Sequence, residues 1–146
     1  MNNMSLGFYI DLCSTQSDNA FPDNTNSSFR ISLPKNISLF PEEGWCVALV
    51  DMKLPQLAND YKTDFIRIEM LECQTSVDCT QIRPTLFKAY NFETDRGQHI
   101  CPNPLRYVGL MSSKLNILHF NLTGSSGAAI SFAPGSVYCT LHIIKG

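Results

Sequence analysis

The segment that decides the fold runs from Trp45 to Leu54 and reads WCVALVDMKL. Alternate side chains of a strand point to opposite faces. One face would carry Trp45, Val47 and Leu49, and the other would carry Cys46, Ala48, Val50 and Met52. Because both faces are apolar, the pattern predicts a strand that is covered on both sides. Pro55 ends it, since proline lacks the amide donor that a sheet ladder needs.

The same period of two extends along most of the chain. Further strands are predicted at about 7–13, 29–33, 37–39, 65–71, 114–122, 129–133 and 137–144, with weaker candidates at 86–92 and 106–111. Pro34 is expected to end or bend the second strand. One short helix is predicted at 56–62, where alternation fades. We therefore expect an all-β protein, a single jelly-roll-like antiparallel β-sandwich of about eight strands.

Length and composition favour one domain, covering residues 1–146, with a core of its own. Hydrophobic residues make up 44% and charged residues only 16% of the chain, and the net charge is -2. This balance argues against intrinsic disorder and against direct binding of nucleic acid, which requires an excess of Lys and Arg. A surface with so few charges suits contact with other proteins.

The predicted core draws on the inward positions of the strands. Its members are Phe8, Leu12, Phe29, Leu33, Trp45, Val47, Leu49 and Leu141. Trp45 is expected to anchor the central strand by burying on the order of 200 Å².

The six cysteines are interpreted mainly as reduced thiols that serve as small apolar residues. Cys73 and Cys79 are the pair best placed for a disulfide, because they could close a local hairpin. Zinc sites usually contain paired ligands such as C-x2-C, and the sequence has no such pair. We expect no metal and no cofactor.

The sequence contains no recognisable catalytic motif. It has neither G-x-S-x-G nor a glycine-rich loop that opens a helix. His119 and His142 lie in predicted strands and could face each other, but no third catalytic partner is evident. Cys139 and His142 would point to opposite faces of one strand. We therefore expect no enzymatic activity.

The first residues lack the basic and apolar regions of a secretory signal, and no stretch reaches the roughly 20 apolar residues of a membrane helix. We expect no membrane insertion and no passage through the secretory pathway.

Two blocks of sequence resemble a known group of proteins. The first contains Phe8-Tyr9, Phe21-Pro22-Asp23-Asn24-Thr25, Leu33-Pro34 and Gly44-Trp45-x-Val47-Ala48-Leu49; the second is Phe132-x-x-Gly135-x-Val137-x-x-Thr140-Leu141-His142. They are similar to blocks in β-rich proteins of Polinton-like elements and related animal DNA viruses, the adintoviruses and adomaviruses. The resemblance covers about 8–55 and 129–143.

The resemblance implies a jelly-roll fold and a structural role, as a minor capsid or penton-like component of the virion shell. It also implies that the protein is assembled in the host cell, located in the virion, and bound to copies of itself and to other capsid proteins. The alternative is a receptor- or carbohydrate-binding β-sandwich, such as a spike or fibre head. For that function Tyr61, Tyr90 and Tyr107 are the candidate contact residues.

Overall fold

A computed structural model of the chain describes residues 7–78, 81–90, 92 and 96–146. The described residues form eleven β-strands and no helix. The strands are β1 (Gly7–Cys13), β2 (Ser28–Ser38), β3 (Trp45–Leu54), β4 (Ile66–Met70), β5 (Ser76–Asp78), β6 (Gln81–Arg83), β7 (Thr85–Ala89), β8 (Gln98–Ile100), β9 (Tyr107–Gly109), β10 (Lys114–Thr123) and β11 (Tyr138–Lys145).

The larger strands form two sheets. Sheet A has the order β1-β11-β3-β8, with β9 also paired to β3, and sheet B has the order β2-β10-β4-β7. Strands β5 and β6 form a separate pair. Every pairing is antiparallel. The prediction of an all-β, antiparallel, sandwich-like protein is confirmed.

The pairings are nested along the chain. The first strand, β1, pairs with the last, β11, and β2 pairs with β10. Further inward, β3 pairs with β8 and β9, and β4 pairs with β7. The two halves of the chain therefore run beside each other as a long folded hairpin. Two further pairings, β11 with β3 and β10 with β4, join this hairpin into the two sheets.

Of the two outcomes predicted for Pro34, an end or a bend of the second strand, the structure excludes the end. Pro34 lies within β2, which continues to Ser38 and absorbs the predicted strand at 37–39. Because β2 is one of the two terminal strands of sheet B, the missing amide of a proline can be tolerated there. Ser32 pairs with Ile117 and Ile37 pairs with Leu115, so the shift of register between β2 and β10 spans Pro34.

The predicted helix at 56–62 is wrong. Ala58 donates its backbone amide to Ser131, and Ala133 donates to Gln56, so the segment pairs with distant chain. The buried Leu57 bridges Phe132. For the same reason the predicted strand at 129–133 is reduced to isolated bridges. Long-range hydrogen bonds outweigh local propensity in both segments.

A hydrophobic cluster fills the space between the sheets. It includes Val47 and Leu141 from sheet A and Phe29 and Phe120 from sheet B, the two phenylalanine rings lying 5.2 Å apart. Trp45 is buried, and its indole N–H donates to the carbonyl of Pro41 at 2.6 Å. Seven of the eight predicted core residues are buried, namely Leu12, Phe29, Leu33, Trp45, Val47, Leu49 and Leu141.

Phe8 differs from the other predicted core residues. It packs against the cluster but is only partly buried. Its strand, β1, is a terminal strand of sheet A, so one flank of the side chain has no neighbouring strand among the described residues.

Within the described ranges, no helix is long and apolar enough to cross a membrane.

Candidate interaction surface

A row of aromatic side chains crosses the outer face of sheet A. Tyr9 of β1 lies opposite His142 of β11. On the next strand, β3, Ala48 lies opposite His142, and Tyr107 of β9 lies opposite Ala48. The Tyr9 and His142 rings stack at 4.4 Å, and the Tyr107 hydroxyl lies 2.8 Å from His142 Nδ1. Ala48 is fully buried within the row. We call Tyr9, His142 and Tyr107 the aromatic row.

Much of this face is exposed. Tyr9 is 64% exposed, Tyr138 54% and Tyr107 44%. Tyrosine offers a large contact area at a low cost in side-chain entropy and is enriched in protein interfaces. The outer face of sheet A therefore has the composition of an interaction surface.

The outer face of sheet B is partly covered by the chain itself. Glu69 of β4 is buried, although it lies on the polar side of the sheet. Arg83 of β6 reaches over it and places Nη1 3.3 Å from both carboxylate oxygens. Arg67 is buried beside this pair and donates to Thr123 Oγ1 at 3.5 Å. An internal ion pair therefore occupies positions that would otherwise contact solvent or a partner.

The free edge of β2 is closed by side chains from the preceding loop. Asn24 Nδ2 donates to the carbonyl of Arg30 at 2.9 Å, and the Arg30 amide donates to Asn24 Oδ1 at 2.9 Å. The Ser32 amide donates to Ser17 Oγ at 3.0 Å, and the Ser28 amide donates to Thr25 Oγ1 at 3.1 Å. These side chains replace the neighbouring strand that the edge lacks.

The free edge of β1 has no such cover among the described residues. The Ser14 amide donates to Val137, in register with the β1–β11 ladder. Because hydrogen-bonded pairs alternate in an antiparallel ladder, the backbone groups of Gly7, Tyr9 and Asp11 point away from β11. The Cys13 amide, which points the same way, is satisfied by Gln16 Oε1 at 2.7 Å.

A cysteine, a histidine and an aspartate meet at the other end of the sheet A face. His99 Nε2 lies 3.4 Å from Cys101 Sγ and 3.8 Å from Asp51 Oδ2. Both contacts use the same ring nitrogen, whereas a catalytic triad uses one nitrogen for the nucleophile and the other for the acid. The three side chains are therefore not arranged as a triad.

His119 and His142 do not face each other, an arrangement that the sequence had left possible. His119 lies on β10 of sheet B, and His142 lies on β11 of sheet A. Burial, aided by the charge of Arg30, lowers the pKa of His119. The His119 amide donates to Glu72 Oε1 at 2.9 Å, and burial raises the pKa of that carboxyl. Within the described residues the two histidines therefore belong to separate sets of contacts.

No disulfide joins any two of the five described cysteines, as the reduced interpretation predicts. Burial raises the pKa of Cys73 and of Cys139 to about 12, so both thiols stay protonated at neutral pH. Cys79 lies outside the described residues, and its pairing with Cys73 stays a prediction. No group of three or more His, Cys, Asp or Glu side chains within the described ranges could hold a metal ion.

The three tyrosines considered for ligand binding lie in different surroundings. Tyr61 is half-buried against the core, and burial raises its pKa. Tyr107 belongs to the aromatic row. Tyr90 is 58% exposed and lines a cavity of about 510 Å³, together with Gln98, Asn103 and Arg106.

The sequence interpretation missed the aromatic row and the role of Asn24. The outward positions of Tyr9 and His142 follow from alternation, but their pairing depends on strand order. The partner of the Asn24 side chain is the backbone of Arg30, six positions away.

Comparison with known proteins gives no assignment: no family model matches the chain, and no curated protein matches it significantly.

Proposed function

We propose that the chain is a structural protein with a jelly-roll fold that assembles into a virion shell as a minor capsid or penton-like component. The observation that carries the proposal is the nested strand order, in which β1, β2, β3 and β4 pair with strands taken in reverse from the end of the chain. A jelly roll is built in this way from two Greek keys. The sequence resemblance to capsid proteins supports the same conclusion.

The surface supports assembly rather than catalysis. The aromatic row and Tyr138 lie on a face that the described chain leaves uncovered. The one Cys–His–Asp cluster described above lacks the geometry of a triad. A protein of this kind acts through contacts with its own copies and with other shell proteins.

Co-assembly tests the proposal directly. The full chain is expressed together with the major capsid protein encoded in the same genome, and assembled particles are isolated by sedimentation. We expect the chain to sediment with the particles at a constant ratio, whereas an unrelated β-sandwich protein of similar size remains in the supernatant. A chain that stays monomeric and never enters the particle fraction would contradict the proposal.

A second candidate function is recognition of a receptor glycan. The cavity beside Tyr90 favours it, because an exposed aromatic ring lies there with the amides of Gln98 and Asn103. Sugar rings stack on aromatic faces while their hydroxyls bond to polar groups, and such mixed lining is typical of ligand sites.

A glycan array with matched variants tests this second function. Wild type should bind a defined subset of glycans, Tyr90→Ala should lose that binding, and Tyr107→Ala should retain it. An array on which wild type binds nothing would exclude the glycan function.

A further inference from the structure

We propose that β1 pairs edge to edge with β1 of a second copy of this chain, which extends sheet A across a two-fold axis. The inference rests on the proposed function, since it identifies one surface through which the copies assemble. Three features of β1 support it: its unpaired backbone groups, the self-complementarity of its side chains, and the incomplete burial of its inward residues.

The first feature is the backbone. The N–H and C=O groups of Gly7, Tyr9 and Asp11 point away from β11 and have no partner in the described part of the chain. A row of unpaired groups is a template for another strand. The Cys13 amide is already bonded to Gln16, so the open edge ends there, and its centre within the described residues lies at Tyr9.

This centre sets the register of an antiparallel partner. With the two-fold axis at Tyr9, the residue lies opposite the second copy's Tyr9, and Gly7 lies opposite the second copy's Asp11. Each of these pairs exchanges two backbone hydrogen bonds, because all three residues present their N–H and C=O groups outward. A two-fold contact of this kind uses the same patch on both copies and closes on itself.

The second feature is the chemistry of the outer side chains. Tyr9 is the exposed end of the aromatic row, and pairing would place it beside the same ring of the second copy. The row would then run without interruption across the joined sheet. Asp11 would lie opposite Gly7, so the two carboxylates do not face each other. Aromatic pairs stabilise neighbouring strands, and like charges directly opposite destabilise them.

The third feature is the inward face. Phe8 and Ile10 are only partly buried, whereas Phe29 and Ile31 at the inward positions of β2 are almost fully buried. In the proposed register Phe8 lies opposite the second copy's Ile10. The same contact therefore covers the two apolar side chains of β1 that remain partly exposed in the monomer.

The edge of β2 cannot serve in the same way, since Asn24 and Ser17 occupy its outward amides. Of the terminal strands β1 and β2, the described chain leaves β1 open for a partner.

Sedimentation analysis of the full chain tests the pairing. We expect wild type to dimerise at concentrations up to about 1 mM, where contacts with a Kd in the millimolar range are populated. Tyr9→Lys and Tyr9→Glu each place like charges opposite each other and should raise the Kd of the dimer about tenfold or more. Tyr90→Lys, a change at a similarly exposed tyrosine that follows β7 of sheet B, is the matched control and should leave the Kd unchanged.

Mixing the variants gives the decisive result. Because residue 9 lies opposite itself, an equimolar mixture of Tyr9→Lys and Tyr9→Glu should recover the dimer that neither forms alone. Circular dichroism checks that each variant is folded. A wild type that remains monomeric, a Tyr9→Lys variant that dimerises like wild type, or a mixture of folded variants that stays monomeric would each overturn the pairing.

The outcomes for the two proposals are separable. If the β1 pairing is wrong but the chain still sediments with particles, the virion function stands and another surface makes the contact. If the dimer forms through Tyr9 but the chain never joins particles, the pairing stands without the virion function.

Discussion

Strands β1 and β2 are both terminal strands of their sheets, and the chain treats their free edges differently. The outward backbone groups of β2 are bonded to Asn24, Ser17 and Thr25. Those of β1 at Gly7, Tyr9 and Asp11 have no partner among the described residues. Natural proteins usually protect sheet edges against unwanted pairing. When one sheet edge is protected and another is left open, the open edge is the one expected to bind a partner strand.

The difference extends from the backbone to the core. Phe29 and Ile31 of β2 are almost fully buried, while Phe8 and Ile10 of β1 are partly exposed. The loop at 14–27 accompanies this contrast, since its polar side chains bond to the backbone of β2. The edge of β2 is thus protected by a few polar side chains from the loop that precedes it in the sequence.

The largest expected effect compares the inward residues of the two strands. Phe29→Ala should lower the free energy of unfolding by about 3–5 kcal/mol, because it empties a buried site stacked on Phe120. Phe8→Ala should cost about 1–2 kcal/mol in the monomer, since part of that side chain is already exposed. Urea unfolding measures both. Equal losses of unfolding free energy for the two variants would show that Phe8 and Phe29 are equally buried, which would contradict the difference between the two edges.

A smaller effect is expected from removing the cover of β2. Asn24→Ala breaks both hydrogen bonds to Arg30 and should lower the free energy of unfolding by about 1–2 kcal/mol. Asp23→Ala, in the same loop and exposed, is the matched control. A loss for Asn24→Ala no greater than for the control would mean that the bonds to Arg30 contribute nothing.

The smallest effect concerns pH at the covered edge. Burial and the nearby Arg30 lower the pKa of His119, which lies opposite Arg30 in the β2–β10 ladder. Between the folded pKa and the ordinary value of about 6.5, the unfolded chain binds more protons. Stability should therefore fall as the pH drops from about 6.5 through the folded pKa, and His119→Gln should reduce that slope. Thermal unfolding of wild type and His119→Gln from pH 8 to pH 5 measures this dependence of stability on pH. The same slope in both proteins would contradict the prediction.

Alternation in the sequence was sufficient to locate most of the long strands, because burial on one face leaves a clear period of two in β1, β2 and β11. It was insufficient for β8, whose Gln98-His99-Ile100 carries little apolar signal. It also failed at 56–62, where backbone bonds to residues 131 and 133 decide the conformation.

The candidate interaction surface was less predictable than the core. Tyr107 and His142 are 35 positions apart, and Tyr9 is at the other end of the chain. Their contact exists only because β1, β11, β3 and β9 are neighbours in one sheet. Core residues follow from local pattern, whereas a surface made by several strands requires the strand order as well.

Backbone amide hydrogen exchange, measured by NMR on a dilute and monomeric sample, tests the contrast between the two edges most directly. We predict that the amides of Arg30 and Ser32 are protected and that those of Tyr9 and Asp11 exchange rapidly, becoming protected as the concentration rises. Asn24→Ala should speed exchange at Arg30 and leave Tyr9 unchanged. Similar protection of all four amides in the dilute monomer would contradict the account.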